Sequence, residues 1–230
     1  MSGILYGVGV GPGDPEQMTL KAVRAIREND IIALPGAEPK ETFAYKIAEG
    51  AVPELADKTL ISVYMPMTYD KREQQKHHQE GAVTVEEYLK KGQNVVYLTL
   101  GDPTVYSTFT YIQRIVEADG FETRIISGIP SFCAAAAAAN VPLAVWNQQI
   151  HIMPAAHNLE EPLPVSGTCV LMKSGSKMDR VKSVIRDSGR DAVMVENCGT
   201  ADEHIYRHVE DIPDGAGYYS LIISKEAEDK

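Results

Sequence analysis

Residues 7–17 read GVGVGPGDPEQ and follow directly on the apolar Ile4, Leu5 and Tyr6. A glycine-studded turn between a strand and a helix raises the question of a dinucleotide site. The fingerprint G-x-G-x-x-G needs its third glycine so that the helix can pack closely on its strand. Counted from Gly7 and Gly9, that place holds Pro12; counted from Gly9 and Gly11, it holds Asp14. Neither place fits, which weakens the dinucleotide reading. What the turn does carry is Gly13-Asp14-Pro15. An aspartate carboxylate accepts the free N–H groups of a first helical turn, and proline suits the position after it. With Gln17 completing a capping box, the sequence predicts a helix over 15–28, with Leu20, Val23 and Ile26 on its apolar face and Lys21, Arg24 and Glu28 opposite.

The device returns at residues 101–103. Gly101-Asp102-Pro103 stands between the apolar run 94–100 and a helical pattern carrying Val105, Phe109, Ile112 and Val116 on one stripe. Two strand ends therefore carry the same turn, and only the fold can say whether they meet.

The chain has 230 residues, 44% hydrophobic and 23% charged, enough for one large domain or two ordinary ones. No basic segment leads into an apolar core at the N-terminus, so a signal peptide is not expected. The least polar run, SFCAAAAAANVPLAVW, is too short to span a bilayer and is interrupted by Asn140 and Pro142. Cys133, Cys169 and Cys198 are odd in number and lack zinc-type spacing. They read as buried, reduced thiols of a cytoplasmic protein with no bound metal. A formal net charge of −10 argues against nucleic-acid binding.

Strand patterns near 3–10, 30–34, 60–64, 94–100 and 123–127 alternate with helical patterns near 15–28, 41–50, 72–91, 104–118 and 131–139. That alternation implies right-handed crossovers and a mostly parallel sheet with flanking helices, whose ligands gather beyond the carboxyl ends of the strands. Residues 144–147 break the pattern and mark a linker between a first α/β domain, 1–143, and a second, 148–226. Later strands near 148–153, 168–173, 191–196, 203–209 and 217–224, with one helix near 176–188, suggest a mixed sheet. Residues 227–230 read as a frayed tail. Trp146 reads as an anchor at the domain junction.

The segments GVGVGPGDPE, LTLGDPTVYST, SGIPSFCAAAA, LMKSGS and VENCGTADE occur in the order found in the tetrapyrrole methylases, which this chain resembles from about residue 3 to 224. GDPTVYSTF, YMPMT and YYSLIIS look most like the branch that methylates precorrin-2 at C20 in cobalamin synthesis. The resemblance implies a two-domain fold, S-adenosyl-L-methionine in the cleft between the domains, a tetrapyrrole substrate and a homodimer. It implies that Pro12 lines the substrate trough. Gly101, Asp102 and Val105 would contact the cofactor from the second Gly-Asp-Pro turn, Ser131 and Phe132 from the start of the alanine-rich helix, and Met172 and Gly199 from the second domain. Many relatives have threonine where this chain has Pro130, which removes a hydroxyl and a backbone donor.

Methyl transfer from a sulfonium is an in-line displacement that needs donor and acceptor held close and aligned. A meso carbon of a reduced tetrapyrrole is already electron-rich, but a proton must leave it. Asp102 is the first candidate to take that proton and Tyr218 or Tyr219 the second, although Asp102 also reads simply as a helix cap. His77 and His78, in the charged run KREQQKHHQE, read as a solvated helix face rather than ligands. The substrate's carboxylates call for cations among Lys71, Arg72, Lys76, Lys173, Lys177, Arg180 and Arg207, without any choice between them. Three other readings stand against this one: a relative of the same fold acting on another ring position, ribosomal RNA or a diphthamide-type protein substrate; a nicotinamide oxidoreductase; and a non-catalytic S-adenosylmethionine or corrinoid sensor.

Overall fold

The computed structural model describes residues 2–66, 68, 70–155, 163 and 166–226. The tail at 227–230 and parts of the YMPMT motif lie outside the described residues. The chain forms two compact units that divide between Pro130 and Ser131.

The first unit alternates strand and helix throughout. Its strands are β1 (Ile4–Gly9), β2 (Ile31–Leu34), β3 (Thr59–Ser62), β4 (Val95–Thr99) and β5 (Glu122–Ile126); its helices are α1 (Leu20–Glu28), α2 (Phe43–Ala51), α3 (Lys71–Leu89) and α4 (Phe109–Ala118). All the strand pairings are parallel, in the order β3-β2-β4-β1-β5. Side chains along β4 alternate between two cores. Val96 and Leu98 pack with Ile26 of α1 and Ile47 of α2, while Val95 and Tyr97 pack with Val85 of α3 and Phe109 of α4. A parallel sheet covered on both faces has no wet side, which is why its central strands read as unbroken apolar runs.

The second unit begins with α5 (Ser131–Ala139) and continues with β6 (Ile150–Pro154), β7 (Thr168–Met172), α6 (Met178–Asp187), β8 (Arg190–Glu196), β9 (His204–Tyr206) and β10 (Ser220–Glu226). Its sheet runs β6-β7-β10-β8-β9. Among the described residues only β6 and β7 pair in parallel, so the mixed sheet expected from the closely spaced late strands is present. Met178, Val181 and Ile185 of α6 pack on Cys169, Leu171, Met194 and Ile222. Buried Arg190 ties β8 to β10 through Ser224 and reaches the carbonyl of Gly167.

Three local expectations change. Helix α5 packs on β8 and β10, so the division after Pro130 lies earlier than the 144–147 segment. Trp146 is 96% exposed, so among the described residues it is not packed as an anchor. Of the cysteines, Cys169 and Cys198 are buried but Cys133 is exposed. The cap also moves. Asp14 Oδ1 accepts the N–H of Glu16 at the start of a three-residue turn, Pro15–Gln17, and α1 starts five residues later, with Thr19 Oγ1 accepting the N–H of Ala22. Leu20 consequently faces water, and Ala22, Ala25 and Ile26 supply the buried face. Thr19→Ala should lower stability by about 1 kcal/mol in denaturant unfolding. Asp14→Ala should cost less, and a larger loss there would return the helix cap to Asp14.

Candidate active site

Beyond their last ladder pair, Gly9 with Thr99, strands β1 and β4 do not separate. Gly11 donates its N–H to the carbonyl of Gly101 at 3.3 Å, and Gly101 returns the bond to Gly11 at 2.8 Å. Both residues lie in the left-handed region, with φ of +79° and +69°, where a Cβ is penalised. The glycine-rich segment that leads into the first Gly-Asp-Pro turn therefore meets the start of the second. Gly9 sits at the crossing: a Cβ on it would lie 2.5 Å from the Gly101 oxygen and 2.6 Å from the Gly128 nitrogen. Three chain segments, leaving β1, β4 and β5, are packed backbone against backbone at the carboxyl edge of the sheet.

Asp102 locks this junction. It is 5% exposed. Its Oδ1 accepts the N–H and hydroxyl of Thr104, at 2.8 and 2.5 Å. Its Oδ2 accepts the Ser127 hydroxyl and, at 3.0 Å, the N–H of Gly128. Burial alone would push the carboxyl up, but the Ser127 and Thr104 hydroxyls and the two N–H groups together hold it below the ordinary aspartate range. The helix cap read at Asp102 is thus a turn cap. Helix α4 begins only at Phe109, after Thr108, and Val105, half-buried, precedes it with its N–H on the Asp102 carbonyl. A carboxylate with both oxygens taken by donors is suited to holding loops together and poorly suited to accepting a proton. Pro12, half-buried, follows Gly11 on the same rim.

The second unit gathers its own set. Register places Met172 opposite Leu221 and Glu196 opposite Ser220, so the end of β7, the end of β8 and the start of β10 share one sheet edge. Along it lie Met172, the Asn197–Gly199 turn and Tyr218–Tyr219. Gly217 donates to Glu196 at 2.6 Å, Asn197 to the Tyr219 carbonyl at 3.1 Å, and Gly199, with φ +79°, to Glu203 at 2.8 Å. The Tyr218 and Tyr219 rings stand 5.3 Å apart and nearly perpendicular. Burial, and then the neighbouring Tyr218, raises the Tyr219 phenol. Burial ahead of the Glu203 charge takes the Cys198 thiol to about 12, which makes it inert. Ser131 and Phe132 open α5, both half-buried.

Sequence reading did not single out Thr104, Ser127 or Gly128, the partners of Asp102. The signal lay inside the segment SGIPSFCAAAA, whose first two residues are Ser127 and Gly128. Among the described residues no group of His, Cys, Asp and Glu is arranged to hold a metal. No described helix is long and apolar enough to cross a membrane.

The family model of the Tetrapyrrole (Corrin/Porphyrin) Methylases matches residues 4–212. A probable cobalt-precorrin-2 C(20)-methyltransferase of Methanocaldococcus jannaschii is 36% identical over 184 residues, which cover 80% of this chain and 77% of the relative. The cobalt-precorrin-2 C(20)-methyltransferase of Salmonella typhimurium is 29% identical over 233 residues, 97% of this chain and 96% of its own. Among solved structures, a cobalt precorrin-4 methyltransferase matches with a TM-score of 0.76 at 21% identity, covering 96% of this chain and 94% of that one. A uroporphyrin-III C-methyl transferase from Thermus thermophilus, complexed with S-adenyl homocysteine, matches at 0.70 and 20% identity, covering 97% and 98%. At those identities the two structures speak for the fold. The family match spans both units and all five motif segments, and on it the chain belongs to the tetrapyrrole methylases.

Proposed function

We propose that this chain is an S-adenosyl-L-methionine-dependent methyltransferase that methylates C20 of precorrin-2 or its cobalt form in cobalamin biosynthesis. The observation that carries the reading is the likeness to two C20-methyltransferases, one of them matched along nearly its whole length. The same reading takes the protein as a cytoplasmic homodimer with no metal of its own.

S-adenosyl-L-methionine, when bound, supplies an electrophilic methyl on a positively charged sulfur. The chain's part is to hold and orient. Gly101 has no side chain to keep a ligand off its backbone, and the reciprocal bonds to Gly11 set that backbone in place. Because the Asp102 carboxylate is spent on Thr104, Ser127 and Gly128, we assign it to positioning this loop. Leaving the sulfonium without a tight carboxylate favours transfer, since an anion pressed on it would stabilise the reactant. Val105, Ser131, Phe132, Met172 and Gly199 are proposed as further cofactor contacts, with the soft Met172 side chain filling space against the nucleoside. Pro12, on the rim beside Gly101, is assigned to the tetrapyrrole. Tyr218 and Tyr219 are the further candidates for proton removal, and burial, raising the Tyr219 phenol, keeps that group in its protonated form.

Anaerobic incubation with labelled S-adenosylmethionine and either precorrin-2 or cobalt-precorrin-2 should label one of the two. Label in neither would overturn the assignment. Gly101→Ala should raise the Kd for S-adenosylhomocysteine at least tenfold, about 1.4 kcal/mol, because its φ of +69° penalises any Cβ; calorimetry reads this directly. In Asp102→Asn an amide NH2 faces two of the four donors, and an unmade buried bond costs about 1–3 kcal/mol. The wild-type carboxyl lies below its unfolded value, so its stabilisation is present above about pH 3.9 and lost as pH falls through the lowered folded pKa. Unfolding curves of Asp102→Asn should therefore lie below wild type at neutral pH and converge with it in acid. A gap that does not narrow would remove the carboxylate charge from the account.

A further inference from the structure

His77 and His78 are not a solvated helix face. A strand followed by its helix in a parallel sheet turns at the carboxyl edge, so Tyr64, just after β3, and the first turns of α3 and α4 lie along the same edge as Gly101. Gly81 brings α3 close. A Cβ there would lie 2.6 Å from Cγ1 of Val63 and 3.1 Å from Cδ1 of Ile112. One turn earlier on α3, both histidines meet tyrosines. His78 stacks on Tyr111 with ring centroids 4.4 Å apart and planes 9° apart. His77 meets Tyr64 edge-on at 5.3 Å and 86°. Tyr64 and Tyr111 remain 49% and 48% exposed, while Phe109 and Ile112 do the core packing of α4. Burial, and then the neighbouring His77, holds His78 below the ordinary histidine range, so at neutral pH it presents an uncharged ring.

The charges around this ledge are unevenly committed. Glu80 holds His77 at 3.2 Å and Lys76 at 3.7 Å. Glu73 accepts the Thr68 hydroxyl, and Asp70 caps α3 through the N–H groups of Arg72 and Glu73. Lys71 and Arg72 are exposed and have no ion pair among the described residues. Lys71 stands seven residues before His78, two turns along one helix face and about 10.5 Å away on the 1.5 Å rise. That is room to lay a pyrrole ring on the aromatic stack with its acidic side chain reaching the ammonium.

We propose that His78–Tyr111, flanked by His77–Tyr64, is a docking ledge for the rim of a flat polycarboxylate macrocycle, with Lys71 receiving one of its carboxylates. Paired rings prefer offset or edge-on partners, so a third ring can join each exposed tyrosine. The inference rests on the tetrapyrrole reading above and names where on the first unit that substrate is held.

The test uses the full chain and uroporphyrin III, a stable planar octacarboxylate, titrated by fluorescence beside calorimetry with S-adenosylhomocysteine. His78→Ala and Tyr111→Ala should each raise the uroporphyrin Kd about tenfold and raise KM with little change in kcat. Tyr111→Phe, which keeps the ring, should bind as wild type does. Lys71→Ala should weaken binding less and reduce its salt dependence. Affinity for S-adenosylhomocysteine should be unchanged in all four. If wild type methylates its substrate but the folded alanine variants keep its Kd and KM, the ledge is refuted and the function stands. If those variants instead lose self-association, the rings face a second copy and the proposal also falls. If wild type neither binds uroporphyrin nor methylates precorrin-2, the functional reading fails and the ledge with it.

Discussion

Two backbone hydrogen bonds between Gly11 and Gly101 are the constraint from which the rest of the first unit's site follows. Neighbouring parallel strands normally part into separate loops at their carboxyl ends. Here they are held for one more pair, in antiparallel sense: a Cβ on Gly9 would run into the Gly101 oxygen, and Gly11 and Gly101 take left-handed φ values that penalise a Cβ. The energy of two such bonds is modest, about 0.5–1.5 kcal/mol each in net terms. Their consequence is geometric. They bring Asp102 to the place where its carboxylate reaches Ser127 and Gly128, past the end of β5. Three strand ends become one rigid rim built from loops, and a rim of that kind can hold a ligand in fixed orientation.

The electrostatics of Asp102 follow from the same junction. Burial penalises its charge, and four donors more than offset the penalty. Two donors come from Thr104, in the same turn as Asp102, and two from Ser127 and Gly128 after β5, so protonating the carboxylate would loosen contacts to both segments together. A group used this way serves a methyltransferase better as a brace than as a base. The second unit repeats the logic with different residues: Glu196 on the Gly217 N–H and Glu203 on the Gly199 N–H tie down the turns beside β8 and β10.

Both Gly-Asp-Pro turns mislead in the same way when read locally. Aspartate before proline satisfies every local requirement of a helix start, and in each case the carboxylate does accept the N–H two residues on. It caps only a short turn, because the chain must first cross the rim before a helix can pack against the sheet. The helices then begin at Leu20 and Phe109, where Thr19 supplies a cap and where Phe109 enters the core. The histidine pair fails for a related reason. Spacing and charged neighbours describe the surface of α3 alone, whereas the tyrosines that meet it come from after β3 and from α4.

What the sequence determined by itself was whatever depends on neighbours along the chain. The apolar periods placed the strands and most helices, the alternation required a parallel first sheet, and the motif order pointed to the family that matches residues 4–212. Tertiary structure alone decided that Gly11 pairs with Gly101, that Asp102 closes on Ser127 and Gly128, that α5 packs with the second sheet, and that His78 finds Tyr111. Those contacts join residues distant in sequence, and they depend on strand order and crossover packing, which local periodicity does not encode.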